Sequence, residues 1–233
     1  MKFTFLSLFP ELIYPYFEAS ILKRAVENKI FTCEFINLRD FSQDKYKKVD
    51  DYMIGGGAGM LIKVDVLANA LDFILQKNPK TRIIFTSPVG KNFKQKDAKR
   101  LANFDEICFV CGRYEGFDER VIEIYADEIF SIGDFVLTGG EIVSLAICDA
   151  IARNLNGVLG NSHSLEIESF ENEILEAPSF AKPNVFKNMT INSEFLKGNH
   201  SKITALKNSM AVAKTRFFRP DLYRKTPKIK EIL

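Results

Sequence analysis

The spacing of apolar and polar positions changes period repeatedly over the first 160 residues. Lys2–Leu8 and Ile30–Leu38 are β-branched and aromatic with partial alternation, which predicts two strands. Between them, Tyr16–Asn28 predicts a helix. In Val64–Gln76 the apolar residues Leu67, Leu71, Ile74 and Leu75 recur at helical spacing, one stripe of an amphipathic helix. Arg82–Thr86 predicts a short apolar strand ending at Ser87-Pro88. The pattern continues with a helix over Phe93–Leu101, a buried strand over Glu106–Cys111, a short helix over Asp118–Tyr125, a strand over Ile129–Ile132 and a helix over Glu141–Arg153. Strands that alternate with helices argue for an α/β domain with a mainly parallel sheet, ending near Gly160.

The regular pattern lapses in residues 161–181. Asn161, Ser162, Ser164, Glu166, Glu168, Glu171, Glu173, Glu176 and Pro178 predict a flexible linker. Residues 182–233 then read as helical, with Phe186, Ile203, Leu206, Met210, Ala213 and Phe217 as apolar points. So short a piece builds only a weak core of its own and is expected to lean on a partner surface.

Composition is ordinary for a globular chain of 233 residues, at 46% hydrophobic and 27% charged. No apolar run approaches the ~18 residues that would span a bilayer. The apolar start ends at Pro10-Glu11 without a small-residue cleavage site, so a cytoplasmic protein is expected. Charge distribution is more informative. Residues 182–233 hold 12 Lys+Arg against three acids, a net +9, which leaves 20 basic against 27 acidic residues, net −7, in residues 1–181. A basic tail on an acidic body suits a polyanionic partner, since phosphate contacts release counterions; a solvated lysine-rich helix has the same composition.

Three glycine-rich segments are candidates for chemistry, because ligands in open α/β sheets bind beyond the strand ends. The first, Gly55-Gly56-Gly57-Ala58-Gly59, is not a dinucleotide fingerprint, since its last glycine would fall on Met60, and it lacks the Gly-Lys-Ser/Thr of a P-loop. No predicted strand precedes it, and with Asp44, Lys45, Lys47, Lys48, Asp50 and Asp51 before it, it reads as a mobile surface loop or a long turn. The second, Cys111-Gly112-Arg113-Tyr114-Glu115-Gly116, follows a strand; its glycines permit close backbone approach, and Glu115 suits a cationic group. The third runs from Ser131 to Glu141. Thr138 and Glu141 have capping-box spacing, so a helix should start there, and its free N–H groups favour an acceptor-rich ligand.

Other chemistry is weaker. Cys108 and Cys111 lie i, i+3 in a strand, so their sulfurs face opposite sides, and no second pair completes a zinc site. Four cysteines do not make a disulfide framework. His163 and His200 are isolated. Asp149 and Arg153, i, i+4 on one helix, are either a surface pair or an arginine aimed at a reacting group by its carboxylate.

Ser87-Pro88-x-Gly90, Cys111–Arg120 and Ser131–Glu141, with Gly157-Val158-Leu159-Gly160 and Gly198-Asn199-His200, resemble the bacterial tRNA (guanine-N1)-methyltransferases, the TrmD family, from Met1 to about Asp221. The resemblance implies a SPOUT-type parallel sheet with a deep trefoil knot, an exception to the unknotted rule, plus a small all-helical C-terminal domain. It implies S-adenosylmethionine bound by Ser87, Pro88, Gly112, Tyr114, Glu115, Gly116, Ser131, Ile132, Gly133, Asp134, Phe135, Val136, Leu137, Gly139 and Gly140. It also implies a homodimer with the active site between subunits, tRNA as substrate, a magnesium requirement at an unidentified place, and methylation of the guanosine just 3′ of the anticodon. The family's arginine falls on Arg153, and its catalytic aspartate on Glu168 of Glu168-Ser169-Phe170, one methylene longer. Asp50, Asn199, His200, Lys214, Arg216 and Arg219 are the expected tRNA-facing residues. The chain departs from the family at Ala177–Pro183 and at Ile54 and Ala58. Two other readings remain open: a related enzyme acting on another tRNA position or ribosomal RNA, and a non-catalytic RNA-binding assembly factor.

Overall fold

A computed structural model describes residues 1–161, 165 and 167–226. The chain divides into two compact units, Met1–Gly160 and Asn161–Leu233. The first is built on a five-stranded parallel sheet of β1 (Lys2–Ser7), β2 (Thr32–Asn37), β5 (Arg82–Asn92), β6 (Glu106–Cys111) and β7 (Glu128–Ser131), in the order β2-β1-β6-β5-β7. A separate hairpin joins β3 (Asp50–Tyr52) to β4 (Met60–Ile62).

Alternation along the strands feeds two cores. Phe3, Phe5, Phe109, Cys111 and Phe130 face α1 (Ser20–Glu27), α3 (Gln95–Leu101) and α5 (Glu141–Ala152). Leu6, Phe85, Cys108 and Val110 face α2 (Val64–Lys77) and α4 (Glu119–Tyr125). Both faces of the sheet are therefore covered, as parallel sheets require. Cys108 and Cys111 fall in different cores, as their strand spacing demands, and both are free and buried. Rings fill the first core: Phe109 stacks on Phe5 at 5.3 Å and on Phe3 at 6.3 Å between centroids. Each such buried side chain contributes about 1.5–3 kcal/mol.

Four expectations are corrected here. The helix over Tyr16–Asn28 is broken: a 3₁₀ turn covers Tyr14–Glu18, and α1 begins only at Ser20, whose φ of 59° interrupts the helical path. The first glycine segment does follow a strand. β3 is three residues long and carries Asp50 and Asp51, so it has no apolar period to reveal it. The loop it closes is anchored rather than adrift, since Glu115 N–H donates to Met60 O at 3.0 Å and Ile62 N–H to Gly116 O at 3.3 Å. The strand beginning at Arg82 continues to Asn92. Thr86 and Lys91 both oppose Phe130, so Ser87–Gly90 are extruded between them. Gly90 is required there, because a Cβ would lie 2.6 Å from the backbone of Ile129 and Phe130.

The fourth correction concerns the second unit, which is not all-helical. β8 (Val185–Phe186) and β9 (Met189–Thr190) form a hairpin whose turn residues, Lys187 and Asn188, have φ of 48° and 64°, matching a two-residue primed turn. Its helices are α6 (His200–Phe218) and α7 (Pro220–Lys225). Asn199 caps α6 by accepting from Lys202 N–H, and Pro220 opens α7. Residues 173–175 belong to this unit: Leu175 N–H donates to Thr215 Oγ1 at 2.9 Å, and Thr226 Oγ1 to Glu173 O at 3.3 Å.

Candidate active site

The extruded loop of β5 lies between the carboxyl ends of β6 and β7, and with the loops that follow those two strands it encloses a cavity of about 300 Å³. Ser87 and Pro88 come from the extruded loop of β5. Gly112, Tyr114, Glu115 and Gly116 follow β6. Ser131, Ile132, Gly133, Phe135, Val136, Leu137, Gly139 and Gly140 follow β7. Asp134 is exposed and does not line the cavity. Arg113 and Thr138, inside the expected loops 112–116 and 132–140, and Thr86, Phe117, Phe130 and Val143, which lie outside them, complete the wall.

Close backbone approach sets this geometry. Gly140 N–H donates to Gly112 O at 2.8 Å, which joins the second segment to the third. A Cβ at Gly140 would lie 2.7 Å from Gly112 N and collide with Thr86 Oγ1; one at Gly139 would collide with Arg113 and Glu141. Gly116 differs: its φ of 106° favours glycine, and a Cβ there would meet no protein atom. Ser131 Oγ donates to Gly133 O at 2.9 Å and turns the chain at the cavity edge. Tyr114, Ile132, Phe135, Val136 and Leu137 leave large apolar side chains partly exposed around it.

The expected capping box does not form. Gly140 is the N-cap of α5 with no side-chain cap, and the Glu141 carboxylate turns away from the backbone toward Ser7 and Arg113. Burial pushes the Cys111 thiol, at the end of β6, well above its ordinary value.

Arg153 lies elsewhere. It follows α5 as its C-cap and lines a second cavity, about 350 Å³, with Tyr16, Asp149 and the start of α1. Tyr16 Oη donates to Asp149 Oδ2 at 2.7 Å, and this bond to a carboxylate raises the tyrosine above its ordinary value of 10.0. Glu168 is half-buried in the second unit, where its carbonyl accepts from Glu171 N–H. Asp50 is in β3, opposite Ile62. Asn199 and His200 are exposed at the start of α6. Lys214 is half-buried on that helix, and Arg216 sits over the Tyr223 ring at 5.9 Å. Arg219 is paired with Asp221 at 2.7 Å. His163 lies outside the described residues. Among the described residues no group of three or more His, Cys, Asp or Glu is gathered for a metal. No described helix is long and apolar enough to cross a membrane.

A glycine-walled cavity at the carboxyl ends of a parallel sheet defines a ligand-binding α/β domain. Residues 1–225 match the family model of the tRNA (guanine-1)-methyltransferase TrmD, and the chain belongs to that family. It is 60% identical over 232 residues to the tRNA (guanine-N(1)-)-methyltransferase of Campylobacter curvus, covering 99% of this chain and 98% of the relative. It is 63% identical over 221 residues to the enzyme of the same name from a Nitratiruptor species, covering 95% and 97%. For that of Sulfurimonas denitrificans the identity is 58% over 221 residues, covering 95% and 96%.

Proposed function

We propose that this chain transfers a methyl group from S-adenosylmethionine to N1 of the guanosine immediately 3′ of the anticodon in tRNA. The observation that carries the reading is the meeting of three glycine segments, far apart in sequence, around one cavity in a chain of this family. The cavity suits the donor. Its volume sits at the lower end of the ~300–1,000 Å³ of ligand sites. Its apolar rim suits a purine, and Gly116 leaves space where a side chain would stand. A SPOUT-type trefoil knot is the topology proposed for these loops.

The donor supplies an electrophilic methyl group when bound. The chain's task is then to align guanine N1 with it and to handle the proton that N1 loses. Glu168 is proposed as the base and Arg153 as the group that stabilises negative charge growing on O6. Arg153 and the donor cavity occupy different places on one unit, which supports a homodimer whose active site draws on both subunits. The basic residues 182–233, with Asn199, His200, Lys214, Arg216 and Arg219, are proposed to hold tRNA phosphates, residues 161–181 to join them to the donor domain, and Asp50 to face the same substrate. Such a substrate places the enzyme in the cytoplasm.

Single-turnover methyl transfer to unmodified tRNA transcripts that differ only beside the anticodon tests the function. Transfer is expected only where guanosine follows the anticodon, and Glu168→Gln is expected to slow it at least about 100-fold. Equal transfer to all transcripts, or methylated nucleosides at another position, would overturn the reading.

A further inference from the structure

Arg113, in the wall of the donor cavity, belongs to an ion pair that has no part in the reaction above. Glu141, 2% exposed, opens α5. Its Oε1 accepts from Ser7 Oγ at 2.6 Å and from Arg113 Nε at 3.1 Å. Its Oε2 lies 3.0 Å from Arg113 Nη2, but the N–H direction misses it, so this buried oxygen has charge contact without a directed hydrogen bond. The remaining arm of the guanidinium, Nη1, donates to Thr138 O at 3.2 Å. The guanidinium lies over the Phe9 ring, 4.7 Å from its centroid.

One side chain thus ties the second glycine segment to the third, and both to the end of β1. A buried ion pair is a poor source of net stability, because desolvating both charges offsets most of their attraction. Its geometry is its distinguishing property. A planar fork donates in fixed directions, so Glu141 and the Thr138 carbonyl are held at a set separation, with Gly139 and Gly140 between them. Those glycines leave no room for adjustment, since any side chain at Gly139 would strike the pair.

We infer that Arg113 is a positioning residue: through Glu141 and the Thr138 carbonyl it holds the Thr138–Gly140 bend in the shape that accepts the methyl donor. The inference rests on the reading that the cavity takes S-adenosylmethionine. Lysine at this position keeps the charge facing Glu141 but, as a single ammonium on a flexible stem, cannot reproduce the fork to Thr138.

The test is titration calorimetry with S-adenosylmethionine on the full-length protein, joined to steady-state methylation. Arg113→Lys is expected to weaken donor binding about tenfold and raise KM for the donor alike, with kcat and KM for tRNA changed less than about twofold. A scaffold role would instead lower the melting temperature and move all three constants together, and that result overturns the inference, as does unchanged donor affinity. Because Arg113 itself lines the cavity, Glu141→Gln, at a residue that does not, is measured beside it and separates positioning from direct contact with the donor. It keeps the shape and the Ser7 contact while removing the charge, and is expected to weaken donor binding selectively; unaltered affinity overturns the inference. Failure of the unsubstituted protein to bind S-adenosylmethionine would instead remove the proposed function itself.

Discussion

At the scale of single residues, the site depends as much on missing atoms as on functional groups. Gly140 has a φ of −81°, which any residue adopts, so its requirement for glycine comes from contact alone. A methyl group there would press on Thr86 Oγ1 and on Gly112 N, whose neighbouring carbonyl accepts the bond that joins the two loops. Gly140→Ala is therefore expected to cost about 1–3 kcal/mol, the usual range for overpacking, and to abolish measurable donor binding. Gly160→Ala, where a Cβ meets nothing, should change stability by less than about 0.5 kcal/mol. Urea denaturation of both variants, with donor binding by calorimetry, checks this. Equal stability and affinity in Gly140→Ala would mean that the two loops need not approach so closely.

Among secondary elements, charge networks at the sheet edge hold the extruded loop of β5 in place. Glu128 at the start of β7 pairs with Arg100 of α3 at 2.5 Å, with Arg82 at 3.3 Å and with Lys91, just past the loop, at 3.4 Å. Burial alone would raise the Glu128 carboxyl, but the hydrogen bond from Arg100 and the three positive charges outweigh it and hold the group below its ordinary 4.5. A carboxyl depressed in the folded state adds stability that is complete above 4.5 and disappears as the pH falls through the folded value. Thermal melts between pH 7 and pH 3, values of order set by the carboxylate range, should therefore show stability falling below about pH 4.5, with a shallower fall in Glu128→Gln. Parallel curves for both proteins would remove Glu128 as a source of the acid sensitivity. The same elements show what the sequence reveals. The sheet strands and α2 were legible, because their apolar residues repeat along several turns or pleats. β3, β4 and the Val185–Thr190 hairpin were not, being strands of two or three residues, too short to show a period. The glycine segments of the site were legible as runs beyond strands. The Arg113–Glu141 pair was not, because a contact across 28 residues leaves no local period, and the i, i+3 spacing of Thr138 and Glu141 points to a cap two residues before the real one, Gly140.

On the scale of the whole molecule, Arg153 and the glycine-walled cavity line different places on the first unit, and the proposed reaction, which uses both, is what asks for a second copy. If each active site joins the donor cavity of one subunit to Arg153 of the other, two defective variants can restore one another. Arg153→Ala keeps a sound cavity. Gly116→Asn places a side chain in space that no protein atom fills, and so blocks the cavity while leaving Arg153 intact. Each homodimer should be inactive. After unfolding and refolding an equimolar mixture, half of the dimers are hybrids, and each hybrid has one of its two composite sites whole. Recovered activity should then approach about one quarter of that of the unsubstituted protein. Methyl transfer assayed before and after mixing measures this directly. No recovery, with hybrid dimers demonstrated by a tag on one partner, would place Arg153 and the donor cavity of the same chain in one active site and make the dimer incidental to catalysis.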